Sequence, residues 1–232
     1  MSEQISIATP DGSFNAYLAR PATTPAASVV VIQEIFGVNA DVRETCDTLA
    51  SLGYYALAPD LFWRVQPGVD LNDQTEEQWK QAMALKKAFD IDKGVDDITA
   101  AMAAARALPG ATGKVGVIGF CLGGLMTFLS AVRGHPDAAA AYYGGGTHNY
   151  LGEFRNLSCP LIMHLAEADE FIAAEARAAI IASASGNPKA QVYTYPGQNH
   201  AFARHHGKHY DATAATLANE RTWAFLAQHL RR

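Results

Sequence analysis

Residues 113–132 read GKVGVIGFCLGGLMTFLSAV, and their interpretation decides the fold. KVGVIGF is an apolar run of strand length, and the residues after Cys121 have the composition of a buried helix. Between them lies a turn of small residues with Cys121 at its apex. Gly119 and Gly123 stand two positions to either side, where they relieve the crowding of a sharp strand-to-helix turn. A helix that begins after Cys121 points its N-terminal end at the thiol. That end favours a thiolate and offers N–H groups to a developing anion. The competing interpretation is a structural cysteine in an ordinary strand–helix connection, since free cysteine is a common core residue.

Outward from this turn, strands and helices alternate. QISIATPDGSFNAYLARP (4–21) reads as two strands joined at Asp11-Gly12, an antiparallel hairpin. SVVVIQ (28–33) is an apolar, β-branched run of the kind buried on both faces of a sheet. Val42, Cys46, Leu49 and Leu52 then recur at helical spacing, and YYALAPD (54–60) is the next strand. A polar stretch precedes a helix expected over about 75–90. Ile91, Val95, Ile98, Met102 and Ala105 mark the apolar face of another, which LPG at 108–110 stops. AAAAYYG (138–144), PLIMHLAE (160–167) and AQVYTYP (190–196) read as strands, with helices expected over about 173–184 and 211–230. This order predicts an α/β fold as one domain over 1–232: a mostly parallel sheet with helices on both faces and an N-terminal antiparallel hairpin.

The chain has 232 residues, 49% hydrophobic and 18% charged, which suits a soluble protein with a substantial core. Its net charge is −5 with scattered basic residues, so no stripe matches a nucleic-acid backbone. No apolar run approaches the roughly 20 residues that span a membrane. The opening MSEQISIATPDGSF has no basic segment followed by an apolar one, so a cytoplasmic location is expected. Cys46, Cys121 and Cys159 are far apart without a CxxC pair, which indicates neither a disulfide framework nor a zinc site. Cys46 falls on an apolar helix stripe and Cys159 enters a strand; both read as structural. His205, His206 and His209 lie near His200 with no acidic or thiolate partner at a recognised spacing, so no metal and no cofactor are expected.

In open parallel sheets ligands gather beyond the carboxyl ends of the strands. Glu34 follows VVVIQ, Cys121 follows KVGVIGF, Asp169 follows the strand at 160–167, and His200 follows the strand at 190–196. A nucleophile, an acid and a histidine thus come in the chain order of the α/β-hydrolase fold. In that arrangement His200 pairs with the thiolate and protonates the leaving group, while Asp169 fixes the imidazole tautomer. Taken singly, Asp169 is equally a helix cap and His200 a surface-loop residue; the order and the strand-end positions join them.

These residues resemble the dienelactone hydrolase family, cysteine-using members of the α/β-hydrolase fold. The resemblance runs over nearly the whole chain, through QEIFGVN (33–39), PDLF (59–62), GKVGVIGFCLGG (113–124), AYYGGG (141–146), ADEF (168–171), GQNHAFAR (197–204) and LANERT (217–222). It implies a Cys121, Asp169 and His200 triad, an oxyanion hole from the N–H groups of Ile35 and Leu122, and a Glu34 that faces the resting thiol and controls its ionisation. It also implies a carboxylate-bearing lactone substrate held by Arg204, with Arg204 the expected partner of Glu34. Phe36, Trp79, Met83, Tyr143 and Phe171 are the expected remainder of the substrate pocket. The family's second arginine, a tyrosine and a tryptophan are replaced here by Trp79, Met83 and Lys86. Lys80 or Lys86 is a substitute charge, or else part of a solvated helix face.

A thiolate is a strong nucleophile and a good leaving group, so a thiol enzyme suits acyl groups whose own leaving group departs readily, such as enol lactones and activated esters. The expected function is hydrolysis of such a substrate through a Cys121 thioester by a monomer or weak homodimer, with no nucleic-acid or membrane partner. Two alternatives stand beside it: a hydrolase of a different ester or lactone on the same scaffold, and a non-catalytic ligand-binding or thiol-sensing protein.

Overall fold

The computed structural model describes residues 2–231. Its strands are β1 (Ser2–Thr9), β2 (Gly12–Ala19), β3 (Ala26–Ile32), β4 (Tyr55–Pro59), β5 (Ala111–Phe120), β6 (Ala138–Tyr142), β7 (Leu161–Ala166) and β8 (Ala190–Tyr195). They form one sheet in the order β1-β2-β4-β3-β5-β6-β7-β8. The hairpin β1–β2 is antiparallel and joins β4 antiparallel; every pair from β4 through β3 to β8 is parallel. Six helices cover the sheet: α1 (Ala40–Ser51), α2 (Glu76–Ala88), α3 (Ile91–Arg106), α4 (Leu122–Arg133), α5 (Ala174–Ser185) and α6 (Ala212–Leu230).

The period-two alternation of a strand explains why both sheet faces are apolar. Val30 and Ile32 of β3 join Val117 of β5 in a core closed by α2, α3, α4 and α5. Val29 and Val31 point the other way, into a core closed by Val42, Cys46 and Leu49 of α1 and by Ala218, Leu226 and Leu230 of α6. The central strands are therefore apolar throughout, as the sequence predicts for doubly covered strands.

Two sequence expectations need correction. Leu52 lies beyond the apolar stripe of α1: it caps the helix and is 36% exposed, because α1 ends one residue earlier. A 3₁₀ segment at Thr147–Asn156 was not anticipated, since its mixed composition carries no periodic signal.

One polar cluster lies within the second core. The Tyr142 hydroxyl and the Thr222 hydroxyl are 2.7 Å apart, and His164 places Nε2 2.9 Å from Thr222 Oγ1 and Nδ1 2.7 Å from the Tyr195 hydroxyl. Burial, reinforced by the Arg221 charge, pushes the His164 pKa down to about 3, so the ring is neutral. This cluster ties α6 to β6, β7 and β8, immediately below the loops that carry the site.

Candidate active site

The turn at Cys121 is strained, and the sequence around it shows why the strain persists. Cys121 adopts φ 54° and ψ −114°, a conformation that L-residues rarely occupy and that costs on the order of 1–3 kcal/mol. Its N–H donates to the Tyr142 carbonyl at 3.1 Å, and its own carbonyl accepts from Gly124 and Leu125 at 3.0 and 3.2 Å. A β-carbon on Gly119 would stand 2.2 Å from the Gly123 carbonyl oxygen, and one on Gly123 would stand 2.4 Å from the Ile32 carbonyl oxygen. Strand and helix thus approach so closely that only glycine fits at both positions. The turn lifts Cys121 to the start of α4, where the first N–H groups have no intrahelical acceptor. Tyr143 and Ala201 also have positive φ, 37° and 62°, so strained backbone gathers around one spot.

His200 reaches that spot from the loop after β8. Its Nδ1 lies 2.8 Å from Asp169 Oδ2 and 3.0 Å from Oδ1. Asp169 is itself fixed, because Oδ1 accepts the N–H groups of Phe171 (2.8 Å) and Ile172 (3.2 Å). An ionised Asp169 only accepts, so Nδ1 carries the proton. Nε2 is buried and has no hydrogen-bond partner among the described residues. Tyr143 and Phe171 pack edge-on against the imidazole at ring distances of 5.1 and 4.8 Å, which sets its orientation. Burial opposes a charge on His200, but Cys121 and then Asp169 outweigh it and raise the pKa to about 10. The environment therefore favours an imidazolium.

Cys121, Leu122, Ile35 and His200 open onto a cavity of about 370 Å³. The Ile35 and Leu122 N–H groups donate to no backbone carbonyl among the described residues, so both are free to meet an anion. Phe36, Trp79 and Phe171 make an aromatic wall, with Phe36–Trp79 at 5.9 Å and Trp79–Phe171 at 6.3 Å. Trp79, Met83 and Lys86 share one face of α2 because their spacings are four and three, and all three line the cavity. Lys80 instead pairs with Glu76 at 2.6 Å on the solvent side. The two lysines thus separate into a solvated one and one at the cavity. Tyr143 does not line this cavity: it is fully buried beneath His200 and supports the ring.

Glu34 and Arg204 meet as the motifs imply, in an arrangement with an additional member. Arg204 Nη1 donates to Glu34 Oε2 at 2.5 Å, and Nη2 donates to Asp73 Oδ2 at 2.7 Å. Asp73 also accepts the Lys208 N–H at 3.1 Å. Against the cost of its burial, Glu34 and then Asp73 hold the Arg204 guanidinium more firmly protonated than usual. Arg204 also lies over the Phe36 ring, 4.9 Å from its centre. No hydrogen bond joins Glu34 to Cys121 among the described residues; Glu34 lines a second cavity of about 310 Å³ on the other side of Arg204. Asp73 and the cavity-lining Lys208 and His209 were missed in the sequence. Asp73 sits in a featureless polar stretch 131 residues from Arg204, and only folding brings the two together.

The loop histidines also differ from expectation. They were read as lacking an acidic neighbour, yet α1 brings Glu44 to within 2.9 Å of His206 and 3.4 Å of His205.

Comparison with known proteins gives the family. The model of the dienelactone hydrolase family matches residues 14–230. The chain belongs to the dienelactone hydrolase family. It is 44% identical over 228 residues to a carboxymethylenebutenolidase of Pseudomonas putida, covering 98% of this chain and 97% of that one. It is 37% identical to carboxymethylenebutenolidase 1 of Cupriavidus pinatubonensis, covering 93% and 92%. A solved structure from Klebsiella pneumoniae, named for the same family, superposes with a TM-score of 0.84 at 27% identity and covers 98% of both chains. The dienelactone hydrolase-like promiscuous phosphotriesterase P91, at 22% identity and a TM-score of 0.80, shares the fold. The chain is a hydrolase of the dienelactone hydrolase type, with a small-molecule ester or lactone as substrate. Among the described residues no helix is long and apolar enough to cross a membrane.

Proposed function

We propose that this dienelactone hydrolase opens a lactone or cleaves an activated ester through a thioester on Cys121. The observation that carries the proposal is the strained Cys121 at the start of α4, facing a cavity shared with His200, whose Nδ1 is held by Asp169.

The Cys121 thiolate attacks the acyl carbon, and the carbonyl oxygen becomes an oxyanion that accepts from the Ile35 and Leu122 N–H groups. The acyl C–O bond breaks, and the leaving oxygen takes the proton from His200 Nε2. Water then attacks the thioester while His200 Nε2 accepts its proton. The second oxyanion collapses, the C–S bond breaks, and the thiolate and imidazolium are restored. Asp169 stabilises the charged ring throughout.

Glu34 has a role before the first step. Its Oε2 is occupied by Arg204 and its Oε1 is buried without a hydrogen-bond partner. A substrate carboxylate that takes over Arg204 releases Glu34, and the freed carboxylate accepts the Cys121 thiol proton, which it gives back to the thiolate when the product leaves and Arg204 is free again. Binding and thiol ionisation are then coupled.

One observation favours a substrate that differs from that of the carboxymethylenebutenolidases. Arg204 is already held by two carboxylates, whereas Lys86 and Lys208 line the cavity without an ion pair among the described residues. A substrate that offers these lysines a second acceptor group, beside the carboxylate that takes Arg204, suits this distribution.

The test is hydrolysis of matched enol lactones, aryl esters and alkyl esters, each with and without a carboxylate. Cys121→Ala is expected to lower kcat about a thousandfold or more with the fold retained, and Cys121→Ser to keep low activity. Wild-type turnover in Cys121→Ala rejects the mechanism.

A further inference from the structure

The edge of the second cavity carries side chains that the proposed hydrolysis does not use. Its walls include the carboxylates of Glu34, Asp41 and Glu44 against the cationic Arg204, and it is bounded by α1 and the loop after β8. Glu34 Oε1, the Tyr143 hydroxyl and Arg204 Nε, all from residues lining it, are buried without a hydrogen-bond partner among the described residues. At its edge Glu44, His205 and His206 converge. His206 Nε2 is 2.9 Å from Glu44 Oε1 and His205 Nδ1 is 3.4 Å from Glu44 Oε2. One ligand atom from each residue lies within 4.8 Å of the others. The loop is already docked for this: the His206 N–H donates to Asp41 Oδ1 at 2.9 Å, and the His205 ring packs edge-on against Tyr210 at 5.1 Å.

We propose that Glu44, His205 and His206 form a binding site for one borderline divalent cation, with Zn²⁺ the best fit and solvent completing its shell. Two imidazoles and one carboxylate are a common zinc donor set that leaves a position open. Donors about 2.0–2.2 Å from a tetrahedral ion stand about 3.3 Å apart. The two imidazoles approach different oxygens of Glu44, and one donor atom from each residue lies within 4.8 Å of the others, so side-chain rotation brings the three onto one ion. Imidazole nitrogen disfavours Mg²⁺ and Ca²⁺, which take oxygen shells. A bound ion would tether α1 to the loop after β8 directly beyond Arg204, and so restrain the residue that holds Glu34 and Asp73.

The test titrates ZnCl₂ calorimetrically into the full chain carrying Cys121→Ser, which removes the accessible thiol as a competing ligand. One equivalent of zinc is expected to bind and to raise the Tm, with Co²⁺ and Mn²⁺ progressively weaker and Mg²⁺ inert at the same concentration. Glu44→Gln, His205→Gln and His206→Gln, added singly, are each expected to weaken binding about tenfold or more. All three positions are exposed, so the metal-free Tm should stay close to that of the parent. His209→Gln should bind as the parent does. No saturable zinc binding in the parent overturns the proposal. So does binding that survives the His205→Gln/His206→Gln double substitution, which would place the ion elsewhere.

Discussion

Arg204 Nη1 holds Glu34 Oε2 at 2.5 Å, with the two side chains only 10% and 6% exposed. The pair divides the space around it: Glu34 lines one cavity, Cys121 lines the other, and Arg204 lines both. In the proposed mechanism the guanidinium passes from this resting contact to a substrate contact, and its second carboxylate, Asp73, sets how readily it changes partner.

Removing the guanidinium should be costly for the fold. Arg204→Ala leaves Glu34 and Asp73 buried without their cation, and breaking such a pair costs about 3–5 kcal/mol. Arg204→Lys cannot bridge both carboxylates with a planar fork and should recover only part of that loss. Chemical denaturation of the three proteins checks the order.

Asp73→Asn should act on substrate rather than on the thiol. It removes one of the two carboxylates that compete for Arg204, so KM for carboxylate-bearing lactones should fall about two- to fivefold while uncharged esters are unaffected. An equal change for both classes would show that Arg204 does not meet the substrate carboxylate.

Lys86 makes the opposite prediction. Its side chain lines the Cys121 cavity but belongs to an exposed stretch of α2, so its charge is screened. Lys86→Ala should raise KM about two- to fivefold for carboxylate-bearing substrates and leave kcat unchanged. Lys80→Ala, on the solvent side, should change neither.

Asp169→Asn tests the imidazole. Asparagine can offer its N–H to Nδ1 and select the wrong tautomer, so kcat should fall by about 10³–10⁴. It also withdraws stabilisation from the imidazolium, so alkylation of Cys121 by iodoacetamide at neutral pH should slow in parallel. Fast alkylation with slow turnover would assign Asp169 to the deacylation step alone.

His164 gives a pH dependence of stability. Its pKa is lowered to about 3 in the folded protein, whereas the unfolded chain takes up that proton near pH 6.5. Protonation therefore favours the unfolded state, and stability falls as pH drops from about 6.5 towards 3, by at most about 1.4 kcal/mol per pH unit. Thermal unfolding between pH 7 and 4.5 should show this slope, and His164→Gln should flatten it. Carboxylates with lowered pKa, such as Asp137, lose their contribution only at lower pH, as they protonate.

The sequence by itself determined the alternation of strands and helices, the hairpin at the start, and the order of Cys121, Asp169 and His200. Those signals are local: side-chain periodicity, turn residues, and the two glycines that let β5 and α4 touch. The same local signals led to the hydrolase family, through short motifs at strand ends. What the tertiary structure decided is everything that depends on distance across the fold. It put Asp73 on Arg204, moved Tyr143 from the expected pocket to a support beneath His200, separated Lys86 from Lys80, and brought Glu44 from α1 to the loop histidines. None of these has a signature along the chain, because each joins elements whose spacing is set by packing on the sheet rather than by their neighbours in sequence.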